Sequence, residues 1–282
     1  MRPQQWIKNL FLFAALVFSG HLFNSNDFFL TIEGFFFFSI LSSAVYLFND
    51  YTDIDRDKLH PVKALRPLPA GQLSPATALT VSFLLIVVSL LGGFFLDSDF
   101  GIVLTIYMSI NVLYSLKIKD IVILDVMTIA TGFVLRVAAG AILIHVPASE
   151  WLIICTILLS LFLGFSKRRT ELLELADRAK PHRSVLEQYS PQFLDQMIGI
   201  VTASTVMAYA LYTISEETVR KFGTTHLIYT VPFVLYGIFR YLYLVHKKAE
   251  GTDPTKTILT DVPLIINVAL WVASASYIIY VK

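Results

Sequence analysis

The chain has 282 residues and a formal net charge of +1, with 56% hydrophobic and only 15% charged residues. Soluble globular domains hold about 25% charged residues, so this composition excludes a soluble protein and indicates one embedded in a membrane. The single cysteine, Cys155, excludes a disulfide bond within the chain.

Nine apolar stretches, each bounded by charged or turn residues, predict transmembrane helices. We place them at about 5–23, 28–48, 76–96, 100–116, 121–144, 150–166, 191–214, 227–246 and 262–281. The first is the least defined, because its polar start leaves a short apolar core. The fold class is therefore an all-α integral membrane protein, with about nine transmembrane helices in a single domain over residues 1–282.

The loops between these helices alternate in length and charge. One alternating set of loops, which includes all the long ones and the link 117–120, holds most of the lysines and arginines, whereas the opposite set holds only Arg220 and Lys221. Because basic loops remain on the cytoplasmic side of a membrane, we expect the N-terminus and all long loops to face the cytoplasm. The protein would then lie in the inner (cytoplasmic) membrane, with a chamber that opens to the cytoplasm.

Polar side chains crowd the start of the first helix. Trp6 is typical of a membrane interface, whereas Lys8 and Asn9 lie deeper than an anchor requires. We therefore expect Lys8 and Asn9 to contact the phosphate of a lipid.

Four carboxylates follow the second predicted helix, within Asn49-Asp50-Tyr51-Thr52-Asp53-Ile54-Asp55-Arg56-Asp57. If the helix continues, Asp50, Asp53 and Asp57 share one face at i, i+3 and i+7, and Asn49 flanks it. Like charges on one face repel, and Mg²⁺ prefers a few carboxylates together with phosphate oxygens. The motif thus predicts a magnesium-diphosphate site at a membrane surface. The alternative is a solvated acidic helix end that pairs with nearby Arg56, Lys58 and Lys63.

Two further positions could bind anions near the membrane surface or within it. The short link after the fourth helix contains Lys117 and Lys119, which either anchor the chain or bind a ligand. Arg136 and Asp125 lie within the fifth apolar stretch, where an ionisable group usually faces a polar cavity or a partner. We favour Arg136 as an anion ligand, since its guanidinium suits phosphate oxygens; a salt bridge to another helix is the competing interpretation.

The sixth helix is followed by a dense charged cluster. Lys167 and Glu171 are one helical turn apart and could pair or share a ligand, with Arg168 beside them. Positive-inside anchoring is the alternative for such residues. The chain has no Ser-His-Asp arrangement, no metal-type His/Cys spacing and no Gly-rich nucleotide loop.

Nine helices with Asn49-Asp50-x-x-Asp53-x-x-x-Asp57 after the second resemble the UbiA superfamily of intramembrane prenyltransferases. The resemblance covers essentially the whole chain. It implies that Asp50, Asp53 and Asp57 bind Mg²⁺, which holds a diphosphate leaving group. Typical prenyltransferases of the superfamily carry a second Asp-rich motif after the sixth helix, and this chain has none there.

A subgroup, the decaprenyl-phosphate phosphoribosyltransferases, is more similar. The similarity is carried by Arg2-Pro3-x-Gln5-Trp6-x-Lys8-Asn9, Arg66-Pro67-Leu68-Pro69-Ala70-Gly71, Tyr114-Ser115-Leu116-Lys117, Leu124-Asp125, Gly132-Phe133-Val134-Leu135-Arg136 and Lys167-Arg168. It implies transfer of a 5-phosphoribosyl group from phosphoribosyl diphosphate to a polyprenyl phosphate. Asn49, Arg66 and Tyr189 join the expected substrate-binding residues.

Two other functions remain open at this point. The same magnesium-diphosphate chemistry serves ordinary prenyl transfer to an aromatic or other acceptor. A transporter is the third possibility, because charged residues within spans also mark ion pathways. We expect membrane lipid, and no nucleic acid, among the partners.

Overall fold

The computed structural model describes residues 3–59, 63–176, 184–247 and 254–281, and these ranges contain helices and no β-strand. Arg2 of the N-terminal motif lies outside them. The α-helices are α1 Leu12–Phe18, α2 Ser25–Thr52, α3 Ile54–Lys58, α4 Pro75–Leu96, α5 Ser98–Leu116, α6 Leu124–Leu143, α7 Glu150–Ala176, α8 Pro191–Ile214, α9 Glu216–Phe222, α10 Val231–Lys247, α11 Pro254–Thr260 and α12 Val262–Tyr280. Short 3₁₀ helices are Pro3–Phe11, Lys63–Leu65, Ile118–Asp120, Ser184–Gln188 and His226–Thr230.

Within the described ranges, eight helical segments are long and apolar enough to cross a membrane. They match the second to ninth predicted helices, and the prediction of a multi-pass, all-α membrane protein is confirmed. The eighth predicted helix comprises the 3₁₀ helix His226–Thr230 and α10, which are contiguous.

The first predicted helix has a different geometry. It is a nine-residue 3₁₀ helix, Pro3–Phe11, that runs into the seven residues of α1. A 3₁₀ helix rises about 2.0 Å per residue and an α-helix about 1.5 Å, so the whole is about 28 Å long. That is close to the thickness of a bilayer core, about 30 Å. The helix ends earlier than predicted because Gly20, at φ +87°, takes the left-handed conformation that terminates helices.

The carboxylate motif lies at the end of α2. The helix does not continue unbroken, because Asp53 at φ −103° and ψ 7° separates α2 from the short α3. The hydrogen bonds from Asp53 N to Asn49 O (3.1 Å) and from Asp57 N to Asp53 O (2.8 Å) nevertheless keep helical spacing across the break. The helix was expected to continue through the motif; instead it bends once, at Asp53, and helical spacing resumes in α3.

The chain divides into two compact units, and each is described by itself; a single domain over residues 1–282 stays a prediction. The first unit comprises residues 1–148 and 175–189. Its helix α2 packs against α1, α4, α5 and α6. The core they enclose includes Leu12, Phe38, Leu41, Phe100, Leu104, Tyr107 and Leu143.

Helices α1 and α6 approach each other closely at Gly140. A Cβ atom at that position would lie 2.0 Å from the carbonyl oxygen of Leu12. Only glycine allows this contact, as is common where membrane helices pack closely. The approach brings the N-terminal segment against α6, which carries Arg136.

The second unit comprises residues 149–174 and 190–282. Its long helices are tied by polar contacts, since apolar packing alone gives little specificity within a membrane. Arg240 of α10 donates to both oxygens of Asp261 at 3.1 and 2.8 Å, and Asp261 also caps α12. Trp271 Nε1 donates to the hydroxyl of Tyr209 at 2.8 Å.

Candidate active site

Two acidic side chains of the motif converge on one arginine. Nη1 of Arg66 donates to Asp50 Oδ1 at 3.1 Å and to Asp57 Oδ2 at 2.6 Å. Arg66 is placed by the turn that follows α3, where Ala70 N donates to Arg66 O, and Gly71 at φ +73° ends the turn. A nitrogen of Lys63 lies 3.9 Å from Asp57 Oδ1. The guanidinium thus bridges two carboxylates that are seven residues apart.

A third carboxylate of the motif, Asp53, contacts a lysine instead of Arg66. Lys119 Nζ donates to Asp53 Oδ1 at 2.5 Å, and Asn49 Nδ2 donates to Asp53 Oδ2 at 3.2 Å. The hydroxyl of Ser115 in turn donates to Asn49 Oδ1 at 3.2 Å. Asn49 is therefore held by α5 and presents its amide to Asp53. We refer to Asp50, Asp53 and Asp57 with Arg66 and Lys119 as the carboxylate cluster.

The two lysines of the link after α5 have different environments. The 3₁₀ helix Ile118–Asp120 points Lys119 inward, where it is 4% exposed, whereas Lys117 is exposed at the end of α5. Asp120 accepts from Arg56 Nη1 at 3.2 Å, which ties the link to α3. Of the two lysines that the sequence singled out, only Lys119 has a contact with the motif.

The donor set of the carboxylate cluster suits Mg²⁺, since hard divalent cations take carboxylate oxygens. Arg66 Nη1 within hydrogen-bonding distance of Asp50 Oδ1 and Asp57 Oδ2 shows that one positive charge lies between these two carboxylates. Among the described residues, however, no three His, Cys, Asp or Glu side chains are arranged as a metal site. The chemistry fits the ion, and in this arrangement side-chain cations balance the carboxylates.

A second polar group lies deeper in the first unit, and we call it the arginine cluster. Arg136 Nε donates to Asn9 Oδ1 at 2.8 Å, Nη2 to the hydroxyl of Tyr107 at 2.9 Å, and Nη1 to Gly132 O at 2.7 Å. Asn9 Nδ2 donates to the hydroxyls of Ser39 and Ser42. The members of the cluster are Arg136, Asn9, Tyr107, Ser39 and Ser42, and all are buried.

Aromatic rings complete the surroundings of Arg136. Its guanidinium carbon lies 4.9–5.3 Å from the centroids of Phe38, Tyr107 and Phe133, within the range of cation–π attraction. The predicted anion ligand thus contacts neutral hydrogen-bonding groups and aromatic faces. Lys8, one residue before Asn9, is partly buried.

Tyr189 and Asp125 form a third contact within the first unit. The Tyr189 hydroxyl donates to Asp125 Oδ1 at 2.8 Å and accepts from the backbone N of Ile123 at 2.7 Å. Tyr189, predicted to contact substrate, is 5% exposed, and Asp125 is fully buried.

The predicted charged cluster of α7 lies in the second unit. Arg168, 2% exposed, donates from Nη1 to Glu171 Oε2 at 2.5 Å. Lys167 Nζ lies 3.8 Å from Glu171 Oε1, so the two side chains form an ion pair, and their binding of substrate stays a prediction. Arg169 instead contacts Asp195 of α8.

Sequence reasoning missed several members of these clusters. Ser39, Ser42 and Ser43 are three serines within five residues of an apolar helix, and this pattern could have indicated a polar contact inside the membrane. Ser115 lies within the Tyr114–Lys117 motif, but its contact with Asn49 has no signal in the sequence. Nothing in the sequence distinguishes Tyr107 from the other tyrosines of the chain.

Comparisons with known proteins agree with this architecture. The model of the UbiA prenyltransferase family matches residues 10–262. The chain is 30% identical to decaprenyl-phosphate phosphoribosyltransferase of Mycolicibacterium smegmatis, over 99% of this chain and 91% of that one. It is 28% identical to the protein of the same name from Mycobacterium tuberculosis, over 97% and 91%.

A solved structure shares the fold. A UbiA homologue from Archaeoglobus fulgidus, bound to GPP and Mg²⁺, superposes with a TM-score of 0.73 at 20% identity, over 99% of this chain and 98% of that one. The family model matches most of the chain, and the described residues include eight helical segments that can span a membrane. The chain is therefore a multi-pass membrane transferase that belongs to the UbiA prenyltransferase family.

Proposed function

We propose that this transferase moves a 5-phosphoribosyl group from phosphoribosyl diphosphate to a polyprenyl phosphate and releases diphosphate, with Mg²⁺ as cofactor. The observation that carries the proposal is the carboxylate cluster, in which three carboxylates at the end of a spanning helix are balanced by exchangeable side-chain cations. The relatives named decaprenyl-phosphate phosphoribosyltransferase, which align with nearly the whole chain, support the identity of the transferred group.

In this proposal Asp50, Asp53 and Asp57 hold the metal ion. Mg²⁺, when bound, supplies a charge that stabilises the departing diphosphate. Asn49 orients Asp53 through the hydrogen bond from its amide. The carboxyl groups of Asp50 and Asp57, which accept from Arg66 here, would be ligands for the ion together with the donor's phosphates, since Mg²⁺ is usually bound by one or two carboxylates and substrate phosphates.

The basic side chains of the cluster would then contact the donor. Arg66 and Lys119 lie next to the carboxylates and, once released from them, can donate to phosphate oxygens. Donors aimed at developing negative charge are usually the largest single contribution to catalysis. Lys117, exposed nearby, is a further candidate for the diphosphate or the 5-phosphate.

The chemical step needs little from the chain besides charge and position. An oxygen of the lipid phosphate forms a bond to the anomeric carbon, the bond from that carbon to diphosphate breaks, and diphosphate leaves with the electron pair. The carbon gains oxocarbenium character as in other glycosyl transfers. An ionised phosphate is already a nucleophile, so a general base is unnecessary.

Residues away from the carboxylate cluster have less defined roles. Lys8, Lys167, Arg168 and Glu171 remain predicted substrate contacts. Ser39 and Ser42, which accept from Asn9, precede Asp50 by at least eight residues on α2, and that is about 12 Å or more along a helix. Arg136 and Asn9 could therefore contact only a phosphate bound well inside the span, and their role as anion ligands stays a prediction.

We place the carboxylate cluster on the cytoplasmic side of the inner membrane. The basic loops carry this assignment, through the positive-inside rule. Phosphorylated sugars and Mg²⁺ would be available there.

Ordinary prenyl transfer is the second candidate. The UbiA homologues of the same fold are bound to GPP or DMAPP together with Mg²⁺, and the carboxylate cluster would serve either diphosphate. The sequence from Lys167 to Glu174 lacks the second Asp-rich motif of typical family members, which favours a different donor.

One assay separates the two candidates. Purified protein receives Mg²⁺ with polyprenyl phosphate and labelled phosphoribosyl diphosphate, or with labelled prenyl diphosphate and an aromatic acceptor. We expect label in the lipid fraction of the first mixture, dependent on Mg²⁺ and lost when it is chelated. Label transfer only in the second mixture would refute phosphoribosyl transfer.

A further inference from the structure

The link between Lys119 and α6 contains a strained turn. Ile123 has φ 69° and ψ −48°, and Leu124 N donates to Val122 O at 2.8 Å. These angles and this bond define a γ-turn of the rare, strained kind. A positive φ is especially unfavourable for a β-branched residue, so the surrounding structure must hold Ile123 in place.

The hydroxyl of Tyr189 holds this turn from two sides. It accepts from the backbone N of Ile123 at 2.7 Å and donates to Asp125 Oδ1 at 2.8 Å. A tyrosine hydroxyl has one proton, and here that proton is directed at Asp125. The hydroxyl of Tyr189, a residue predicted to bind substrate, therefore contacts the turn itself.

The turn is directly connected to the carboxylate cluster. Ile121 N donates to Ile118 O at 3.0 Å, so the strained turn follows at once on the 3₁₀ helix Ile118–Asp120. That helix packs against the 3₁₀ helix Ser184–Gln188, which precedes Tyr189. It also carries Lys119, whose Nζ contacts Asp53.

We propose that Tyr189 is a positioning residue, which locks the turn at Ile123 and thereby holds Lys119 at the carboxylate cluster. The proposal rests on the proposed function in that Lys119 serves the diphosphate donor. Without the hydroxyl, Ile123 relaxes to a negative φ, the link shifts, and Lys119 leaves its place beside Asp53. The loop that carries Tyr189 is thereby coupled to donor binding.

The first test measures the turn without substrate. Hydrogen exchange is followed in the segment 117–125 of purified wild-type protein, of Tyr189→Phe and of Tyr277→Phe. Tyr277 is 65% exposed on α12 and provides a matched loss of one hydroxyl. We expect exchange to become about tenfold faster in Tyr189→Phe, since a hydrogen-bonded amide is released, and to stay unchanged in Tyr277→Phe. Unchanged exchange in Tyr189→Phe would overturn the proposal.

The second test measures kinetics. In Tyr189→Phe we expect the KM for the diphosphate donor to rise about tenfold, as for the loss of one to two hydrogen bonds, with the KM for the lipid unchanged. A general loss of folded enzyme would lower kcat and leave both KM values as they were, and that result would refute positioning. So would an unchanged donor KM.

A second-site variant sharpens the assignment. Glycine adopts positive φ without a Cβ clash, and the Ile123 side chain is 40% exposed. Adding Ile123→Gly to Tyr189→Phe should therefore return the donor KM most of the way to wild type, and no recovery would contradict the role of the turn. If the wild type uses prenyl diphosphate instead, the proposed function fails, while exchange and the KM for that donor still decide the role of Tyr189.

Discussion

The carboxylate cluster and the arginine cluster both bring charged groups together in the first unit, but their partners differ in charge. Asp50, Asp53 and Asp57 each contact a side-chain cation. Within the described part of the chain, the contacts of Arg136 are with neutral groups, among them the Asn9 amide and the Tyr107 hydroxyl. The carboxylates lie at the end of a spanning helix, whereas Arg136 lies well within α6.

This difference indicates different functions. A carboxylate that pairs with a side-chain cation remains compensated when another cation replaces that partner, because the attraction depends on positive charge rather than on a particular group. A buried charge held by neutral donors and acceptors has no such replacement, and removing a partner leaves a polar group unsatisfied. The carboxylate cluster is thus suited to ligand exchange, and the arginine cluster to holding the N-terminal segment, α2, α5 and α6 together.

The largest effect is expected at Asp53. Asp53→Asn removes one charge from the proposed metal site and leaves the amide facing Lys119. We expect transfer activity to fall by about a hundredfold or more, as for other groups that act on the leaving group in the transition state. The measurement is label transfer to lipid at saturating Mg²⁺.

Asp55→Asn is the matched control. Its side chain is 95% exposed, and among the described residues it contacts Lys58 alone, three residues away, at 3.1 Å. Activity should stay within about twofold of wild type, since surface substitutions change stability by little. Equal losses in both variants would remove the distinction between the cluster and a generally acidic helix end.

At Arg136 we expect the larger effect on stability. Arg136→Met keeps much of the side chain's volume but leaves the Asn9 and Tyr107 oxygens without their donor. Unfolding should become easier by about 2–4 kcal/mol, the range for breaking a buried polar network. Denaturant or thermal unfolding of the purified protein measures this. Unchanged stability with a raised KM for the lipid phosphate would instead establish Arg136 as an anion ligand.

Much of the fold could be predicted from sequence because a transmembrane helix requires a continuous apolar stretch of about 20 residues, which is visible in the sequence. The second to ninth helices needed no tertiary information. The first did, because its polar side chains are hydrogen-bonded to other helices: Asn9 to Ser39 and Ser42 of α2 and to Arg136 of α6, and Trp6 to Ser43 of α2 at 2.9 Å. Such contacts between distant segments do not follow from a local pattern.

The candidate site was predictable to the extent that its residues are local. The i, i+3, i+7 spacing brought the three aspartates together in the prediction, but Arg66 entered only through the resemblance. The γ-turn at Ile123 carried no sequence signal, since the residue is neither glycine nor asparagine. The side chains that accept hydrogen bonds from Arg136 come from two other segments, so periodicity within α6 could not show whether Arg136 faces a ligand.

Substitution of each of the two lysines after α5 tests whether contact with the carboxylate motif matters for donor binding. Lys119→Ala removes the cation beside Asp53, and we expect kcat/KM for the donor to fall about tenfold, corresponding to about 1.4 kcal/mol. Lys117→Ala changes an exposed side chain and should cost about twofold or less. Equal effects in the two variants would mean that net positive charge near the membrane, rather than contact with the motif, supports donor binding.

The smallest expected effect is a change in metal affinity when Arg66 is replaced. This variant tests whether the ion pairs of the carboxylate cluster compete with metal binding. Arg66→Gln withdraws the positive charge that bridges Asp50 and Asp57. We expect Mn²⁺ or Mg²⁺ to bind about threefold tighter without substrate, because a partly exposed ion pair is worth about 0.5–1 kcal/mol. Arg56→Gln, which removes an exposed partner of Asp120, serves as control and should leave metal affinity unchanged. The same Arg66→Gln variant should bind the diphosphate donor more weakly, since it lacks the guanidinium that would contact phosphate once the metal takes its place beside the carboxylates. Tighter metal and weaker donor binding together identify exchange; weaker binding of both would show that Arg66 organises the carboxylates rather than competing for them.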